Sequence, residues 1–191
     1  MIEPDGTLIN GLELFQPFTF KDHRGSLSKP FDYGTAISQK YHFDVKQIII
    51  SKTAQKNTIR GMYIQIPPYG ERKVIMPLKG DMFWVAVDLR KNSITFGKWS
   101  GVVLSDRTQE TCLYIPNGFA HGCISLTDNV ELLILADQIH MPDTGLAFRW
   151  DDPTVNIKWP TETQPIISND HAQAQDFENF IKAYKTQWSQ S

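Results

Sequence analysis

The stretch from Asp81 to Leu89 constrains the fold more than any other. Phe83, Val85, Val87 and Leu89 share one face of an extended chain, and Trp84, Ala86 and Asp88 share the other. Such period-two alternation is the signature of a β-strand. Lys73 to Leu78 precedes it, and the intervening Lys79-Gly80 suits a hairpin turn. Thr95 to Leu104 alternates less cleanly. Glu110 to Ile115, Gly122 to Leu126 and Val130 to Asp137 follow, separated by Gly, Pro, Asn and Asp, while Gln47 to Ser51 and Ile59 to Ile66 supply earlier strands. Many strands at short spacing with few helical patterns between them predict an all-β closed barrel or sandwich. Two exceptions are expected. Phe177, Phe180, Ile181, Tyr184 and Trp188, at steps of three and four, form one face of a C-terminal helix spanning Ala172 to Trp188, with its apolar stripe on the outside of the barrel. A short helix is expected over Thr35 to Tyr41.

Composition narrows the class. With 191 residues and 41% hydrophobic content, residues 1–191 suit one domain with its own core. An aromatic content of 12% favours strands and can line a pocket. The net charge of -2, with no basic block, argues against a nucleic-acid partner. Cys112 and Cys123 match neither a CxxC redox motif nor a zinc site and read as reduced, buried thiols. Met1 to Asn10 has no basic segment followed by an apolar run, and no stretch approaches the roughly 18 to 20 apolar residues of a membrane helix. A cytoplasmic protein with no membrane partner is therefore expected.

Several segments carry a more specific signal. They are Asp22-His23-Arg24-Gly25, Arg60-Gly61-Met62-Tyr63-Ile64-Gln65, Val87-Asp88-Leu89-Arg90 with Thr95-Phe96-Gly97-Lys98-Trp99, Ile115-Pro116-Asn117-Gly118-Phe119-Ala120-His121-Gly122, Trp150-Asp151-Asp152-Pro153 and Ile157-Lys158-Trp159-Pro160. In this order and spacing the chain resembles the dTDP-4-dehydrorhamnose 3,5-epimerase family from about Phe18 to Asp170, and most specifically from Val87 to Gly122. The resemblance implies a cupin-type jelly-roll β-barrel, a homodimer exchanging N-terminal strands, and a nucleotide-diphospho-4-keto-6-deoxy sugar bound in the barrel mouth, with no metal or other cofactor. Independently, His23, His42, His121, His140 and His171 make no HxH pair of the sort a metal cupin uses.

Epimerising the carbons beside a ketone requires a base, an acid on the opposite face, and a cation near the enolate oxygen. By resemblance, Lys73 is the enolate lysine, His121 is the histidine of the Gly-Phe-Ala-His-Gly segment, and Asp170 is the aspartate that pairs with the base. Arg24, Gln47, Arg60 and Ser168 carry over as substrate-binding residues, Arg24 reaching the partner's nucleotide. The departures are as informative. The base histidine is replaced by Tyr63, and the acid tyrosine by Ile134, or by Ile139 if the later position is the matching one. Lys29 replaces a glutamate, and Ile49 an asparagine.

An unperturbed tyrosine has a pKa near 10, so Tyr63 would need depression by Lys73 or Arg60 to act as a base. The ordinary 3,5-epimerisation is therefore not expected unless other groups substitute. A divergent epimerase or isomerase, working by proton transfer beside the C4 ketone, is the first reading. A catalytically inactive sugar-nucleotide-binding or structural homologue is the alternative. Blander readings stand beside the site residues: an exposed edge lysine for Lys73, a structural histidine for His121, a helix cap for Asp170, a space-filling ring for Tyr63, a loop residue for His140, and strand-end charges for Asp88 and Arg90.

Overall fold

The computed structural model describes residues 8–34, 36–107 and 111–188. In chain order its elements are β1 (Glu13–Phe15), β2 (Phe18–Asp22), β3 (Gly25–Lys29), α1 (Ala36–Tyr41), β4 (Gln47–Thr53), β5 (Ile59–Gln65), β6 (Lys73–Lys79), β7 (Asp81–Asp88), β8 (Trp99–Ser105), β9 (Cys112–Ile115), β10 (Phe119–Ser125), β11 (Val130–Ala136), β12 (Gly145–Ala147), α2 (Asn169–Ala172) and α3 (Phe177–Trp188). Met1 to Thr7, Thr35, Glu110 and the side chain of Trp188, to which the sequence also gives roles, lie outside the described residues. Two antiparallel five-stranded sheets, ordered β1-β9-β6-β11-β4 and β12-β5-β10-β7-β8, face each other, and β2 and β3 form a separate hairpin. This is the cupin-type jelly roll with a C-terminal helix.

The alternation along β7 sorts its side chains into two cores. Met82, Trp84 and Ala86 point into the lumen, where they join Ile75, Leu113 and Ile134 of the facing sheet. Val85, Val87 and Leu89 point outward onto Phe177, Phe180 and Tyr184 of α3. Phe180 is fully buried, with its ring centroid 4.9 Å from that of Phe148. A buried side chain of this size contributes roughly 2–3 kcal/mol, so α3 holds its place by packing rather than by helix propensity.

Three expectations change. The Lys79-Gly80 turn does not close a hairpin: β6 pairs with β9 and β11, and β7 with β10 and β8, so the turn carries the chain from one sheet to the other. Ile75 and Trp84 can then meet across the lumen, which strands of one hairpin could not arrange. The C-terminal helix is not continuous. Gln175 bridges Phe148 between α2 and α3, and the Asp152 carboxylate accepts from the Phe177 amide at 2.8 Å. Finally, β8 begins at Trp99 rather than Thr95, because the preceding residues fold back onto Asp88.

Asp88 is wholly buried and accepts from the Arg90 guanidinium at 2.9 and 2.8 Å, and from Ser93 Oγ and Thr95 Oγ1 at 2.6 Å each. Burial alone would raise its carboxyl, but these hydrogen bonds together outweigh it and hold it down to about 2. The folded pKa lies below the unfolded value of about 3.9. The resulting roughly 2 kcal/mol is therefore fully present above about pH 4 and is lost as pH falls toward 2. In urea titrations, Asp88→Asn is expected to lose roughly 3–5 kcal/mol at pH 7 and less of it at pH 3.

Candidate active site

The site is built where β5 and β10 pair. Tyr63 lies opposite His121, and Arg60 opposite Cys123, so β5 takes three steps while β10 takes two. Strict alternation would put Arg60 and Tyr63 on opposite faces; the bulge re-aims them. Gly61 makes this possible. Its φ is +104°, and a Cβ there would lie 2.6 Å from the His121 carbonyl oxygen. A Cβ on Gly122 would lie 2.9 Å from the Arg60 carbonyl oxygen. The glycines of the Arg60-Gly61 and His121-Gly122 segments thus let two backbones touch. Gly61→Ala is expected to cost roughly 3 kcal/mol or more in thermal or chemical unfolding, from the positive φ and the overlap together.

Within this frame Lys73, His121 and Tyr63 converge. Lys73 opens β6, the central strand of its sheet, and its side chain is only 14% exposed, so it is not an edge lysine. Its Nζ lies 3.0 Å from His121 Nε2 and 2.8 Å from Glu71 Oε1. His121 is buried inside β10 rather than at a strand start, with Nδ1 3.4 Å from the Phe119 carbonyl oxygen. A neutral imidazole with its proton on Nδ1 would donate to that carbonyl and accept from the ammonium at Nε2. Burial, reinforced by the Lys73 charge, pushes the His121 pKa well below its ordinary value.

The Tyr63 and His121 rings meet edge to face at 6.3 Å, and Lys73 Nζ sits 5.9 Å from the Tyr63 ring centre. The depression that Tyr63 would need in order to act as a base is absent. Burial, and then the Glu71 charge, push its hydroxyl up to about 12. Lys73 does not offset them, so Tyr63 stays protonated and does not serve as a base.

The other expected site residues are dispersed. Arg60 Nε lies 3.2 Å from Thr53 Oγ1, and its Nη2 donates to the Lys52 carbonyl at 3.1 Å, which ties it to β4. Ser168 caps α2, where its Oγ accepts from the His171 amide, and so takes the capping role considered for Asp170. Asp170 stands in the first turn of α2 next to His171, without a hydrogen bond to Tyr63. Gln47 donates to the Gln138 carbonyl at 2.6 Å. Arg24 is exposed at the β2–β3 tip, bound to Asp22 at 2.6 Å.

Ile134 lies in the lumen core and Ile139 is exposed. His140, read as a loop residue, has its ring centroid 6.4 Å from that of Tyr63, and the neighbouring Met141 amide donates to Gln65 Oε1 of β5 at 2.8 Å. Glu71 received no role from the sequence. Its place two residues before Lys73, on the same face of an extended chain, was the available signal. Among the described residues, no group of three or more His, Cys, Asp or Glu is placed to hold a metal ion. Burial pushes the Cys123 thiol up to about 12, and Cys112 is also buried, neither being joined in a disulfide.

The family model described as dTDP-4-dehydrorhamnose 3,5-epimerase matches residues 6–179. The chain belongs to this family. The dTDP-4-dehydrorhamnose 3,5-epimerase of Shigella flexneri is 35% identical, over 90% of this chain and 93% of that protein. The crystal structure of the Bacillus anthracis epimerase with TDP and PPi bound superposes with a TM-score of 0.82 at 30% identity, covering 87% of this chain and 94% of the other. A 3'-monoepimerase from Streptomyces bikiniensis in complex with dTDP-quinovose gives a TM-score of 0.83 at 25% identity, covering 94% and 92%. The matches span nearly the whole barrel of each epimerase. Among the described residues, no helix is long and apolar enough to cross a membrane.

Proposed function

We propose that the chain moves a proton beside the C4 ketone of a nucleotide-diphospho-4-keto-6-deoxy sugar, in deoxysugar or surface-polysaccharide biosynthesis. His121 is the base, Tyr63 the acid, and Lys73 the cation at the enolate oxygen. The observation that carries this reading is the 3.0 Å contact between Lys73 Nζ and His121 Nε2 beside the Tyr63 ring. A ketone oxygen entering the site competes for the Lys73 ammonium. As the ammonium turns to it, the Nε2 lone pair is freed to take the proton from the adjacent carbon. The charge that develops on O4 is then held by Lys73, and Glu71 keeps that lysine anchored. Tyr63, protonated up to about 12, supplies a proton to the enolate, and His121 passes its own back to the tyrosine.

Tyr63 and His121 sit on neighbouring strands of one sheet, while the facing sheet contributes Ile134. The proton therefore leaves and returns on the same face of the sugar. That suits relocation of the ketone, or exchange with retention, rather than inversion. Arg24, Gln47, Arg60, Ser168 and Asp170 are proposed as outer contacts to the nucleotide and sugar. A homodimer is part of the same proposal. It is supported by the exposed Phe18, Phe20 and Leu27 on the β2–β3 hairpin and by Ile48 and Ile50 on the outermost strand β4. Apolar patches of this kind mark association surfaces.

Ile134, at a position where an acid is expected, favours a second reading, an inert sugar-nucleotide binder. Incubation in deuterated water with dTDP-, CDP- and GDP-linked 4-keto-6-deoxy sugars separates the two. Proton NMR is expected to show deuterium entering at a carbon flanking the ketone. Binding without exchange would instead support the inert reading, and neither binding nor exchange would overturn both.

A further inference from the structure

Among the described residues, two buried side-chain polar atoms lack a hydrogen-bond partner, Tyr63 Oη and Trp84 Nε1. Both rings flank His121, with centroids 6.3 Å from it for Tyr63 and 6.1 Å for Trp84. Tyr63 already has a role in the proposed chemistry. Trp84 does not. It is 5% exposed, projects from β7 into the lumen, and shares its core cluster with Ile75, Leu104, Cys123 and Ile134, whose side chains carry no oxygen or nitrogen acceptor.

A buried indole N–H ordinarily finds a partner. Left alone it costs about 1–3 kcal/mol of desolvation, which a phenylalanine of similar breadth would avoid. A tryptophan here is explained by an acceptor that arrives with the ligand. Trp84 lies two residues before Ala86, the β7 residue opposite His121, and it pairs with Cys123. Its ring therefore lies beside the imidazole on the lumen face of the sheet. A sugar whose ketone reaches Lys73 and His121 brings a neighbouring substituent within reach of that indole.

We infer that Trp84 is a specificity-determining residue whose indole N–H donates to a hydroxyl oxygen of the bound hexose. The inference rests on the sugar-nucleotide reading above. A site built to hydrogen-bond a hydroxyl discriminates strongly against the deoxy analogue, because the donor is then left buried and unpaired. Trp84 would thus select hexoses that keep an oxygen at that position.

Calorimetric titration of wild type and Trp84→Phe with dTDP-4-keto-6-deoxyglucose, and with dTDP alone, tests this. For Trp84→Phe we expect about tenfold weaker binding of the sugar nucleotide and unchanged binding of dTDP. A lower midpoint with unchanged sugar binding would overturn the inference, because the indole would then matter to packing alone. Equal affinities at an equal midpoint would overturn it as well. Wild type that binds dTDP but gains nothing from the sugar overturns this inference alone. Wild type that binds neither overturns the sugar-nucleotide reading and this one together. A readout that needs no folded variant is the indole N–H resonance of Trp84 in ¹⁵N-labelled wild type, which is expected to shift with the sugar nucleotide and not with dTDP; no shift with either counts against the inference.

Discussion

His121→Asn is expected to slow deuterium incorporation into a bound 4-keto sugar by roughly 10³-fold, while leaving sugar-nucleotide affinity within about threefold. Asparagine retains a donor of similar reach for the Phe119 carbonyl but cannot take a proton. The pH profile adds a sharper signature. Burial and Lys73 push the imidazole pKa below its ordinary value, so the neutral, basic form persists on acidification. The exchange rate of the wild type is therefore expected to stay flat from pH 7.5 through 6.5 and to fall only below that. A histidine at its unperturbed value of about 6.5 would already be half protonated there and would have lost half the rate. A midpoint near 6.5 in kcat/KM would count against a buried, neutral His121 as the base. An unchanged rate in His121→Asn would remove His121 from the chemistry.

Lys73→Ala is expected to show two losses that a second substitution separates. In the proposed chemistry the ammonium faces the developing charge on O4, and removal of such a stabilising group costs on the order of 10²–10³ in rate. The same substitution leaves Glu71 without its partner. The Glu71 side chain is only 6% exposed and lies 2.8 Å from Nζ. Breaking a buried pair from one side costs roughly 3–5 kcal/mol, because the remaining charge is stranded. Adding Glu71→Gln to Lys73→Ala should recover most of the stability in urea unfolding and none of the exchange activity. Lys73→Ala as stable as wild type would show that the pair contributes nothing to folding. Recovery of activity in the double variant would show that Lys73 acts only through Glu71.

Much of this arrangement is legible in the sequence, and the reasons are physical. The alternation along Asp81 to Leu89 encodes which side chains face the lumen and which face α3, because a strand has only two faces. The Arg60-Gly61 and His121-Gly122 pairs encode a close backbone approach that only glycines permit. The same local reading fails where the answer depends on distant partners. Lys79-Gly80 has the chemistry of a hairpin turn, yet whether β6 and β7 pair is decided by β9, β10 and β11. Thr95 looks like the start of a strand until the buried Asp88 carboxylate claims its hydroxyl.

At the site, the resemblance draws attention to Tyr63, Lys73 and His121, and these three meet. The sign of the Tyr63 shift could not be read from the chain, because it depends on burial and on Glu71, neither of which spacing reveals. Trp84 reads as one more aromatic on a strand. Its unpaired N–H exists only once the lumen has closed around it.

The most direct test of proton transfer on a single face is the stereochemical course of exchange. Purified protein incubated with dTDP-4-keto-6-deoxyglucose in deuterated water would be quenched at partial conversion, and the position and configuration of the incorporated deuterium read by NMR. The expected result is deuterium at a carbon flanking the ketone with its original configuration retained, alone or together with movement of the ketone to C3. Inversion at both C3 and C5, which requires a proton donor on the face lined by Ile134, would contradict it.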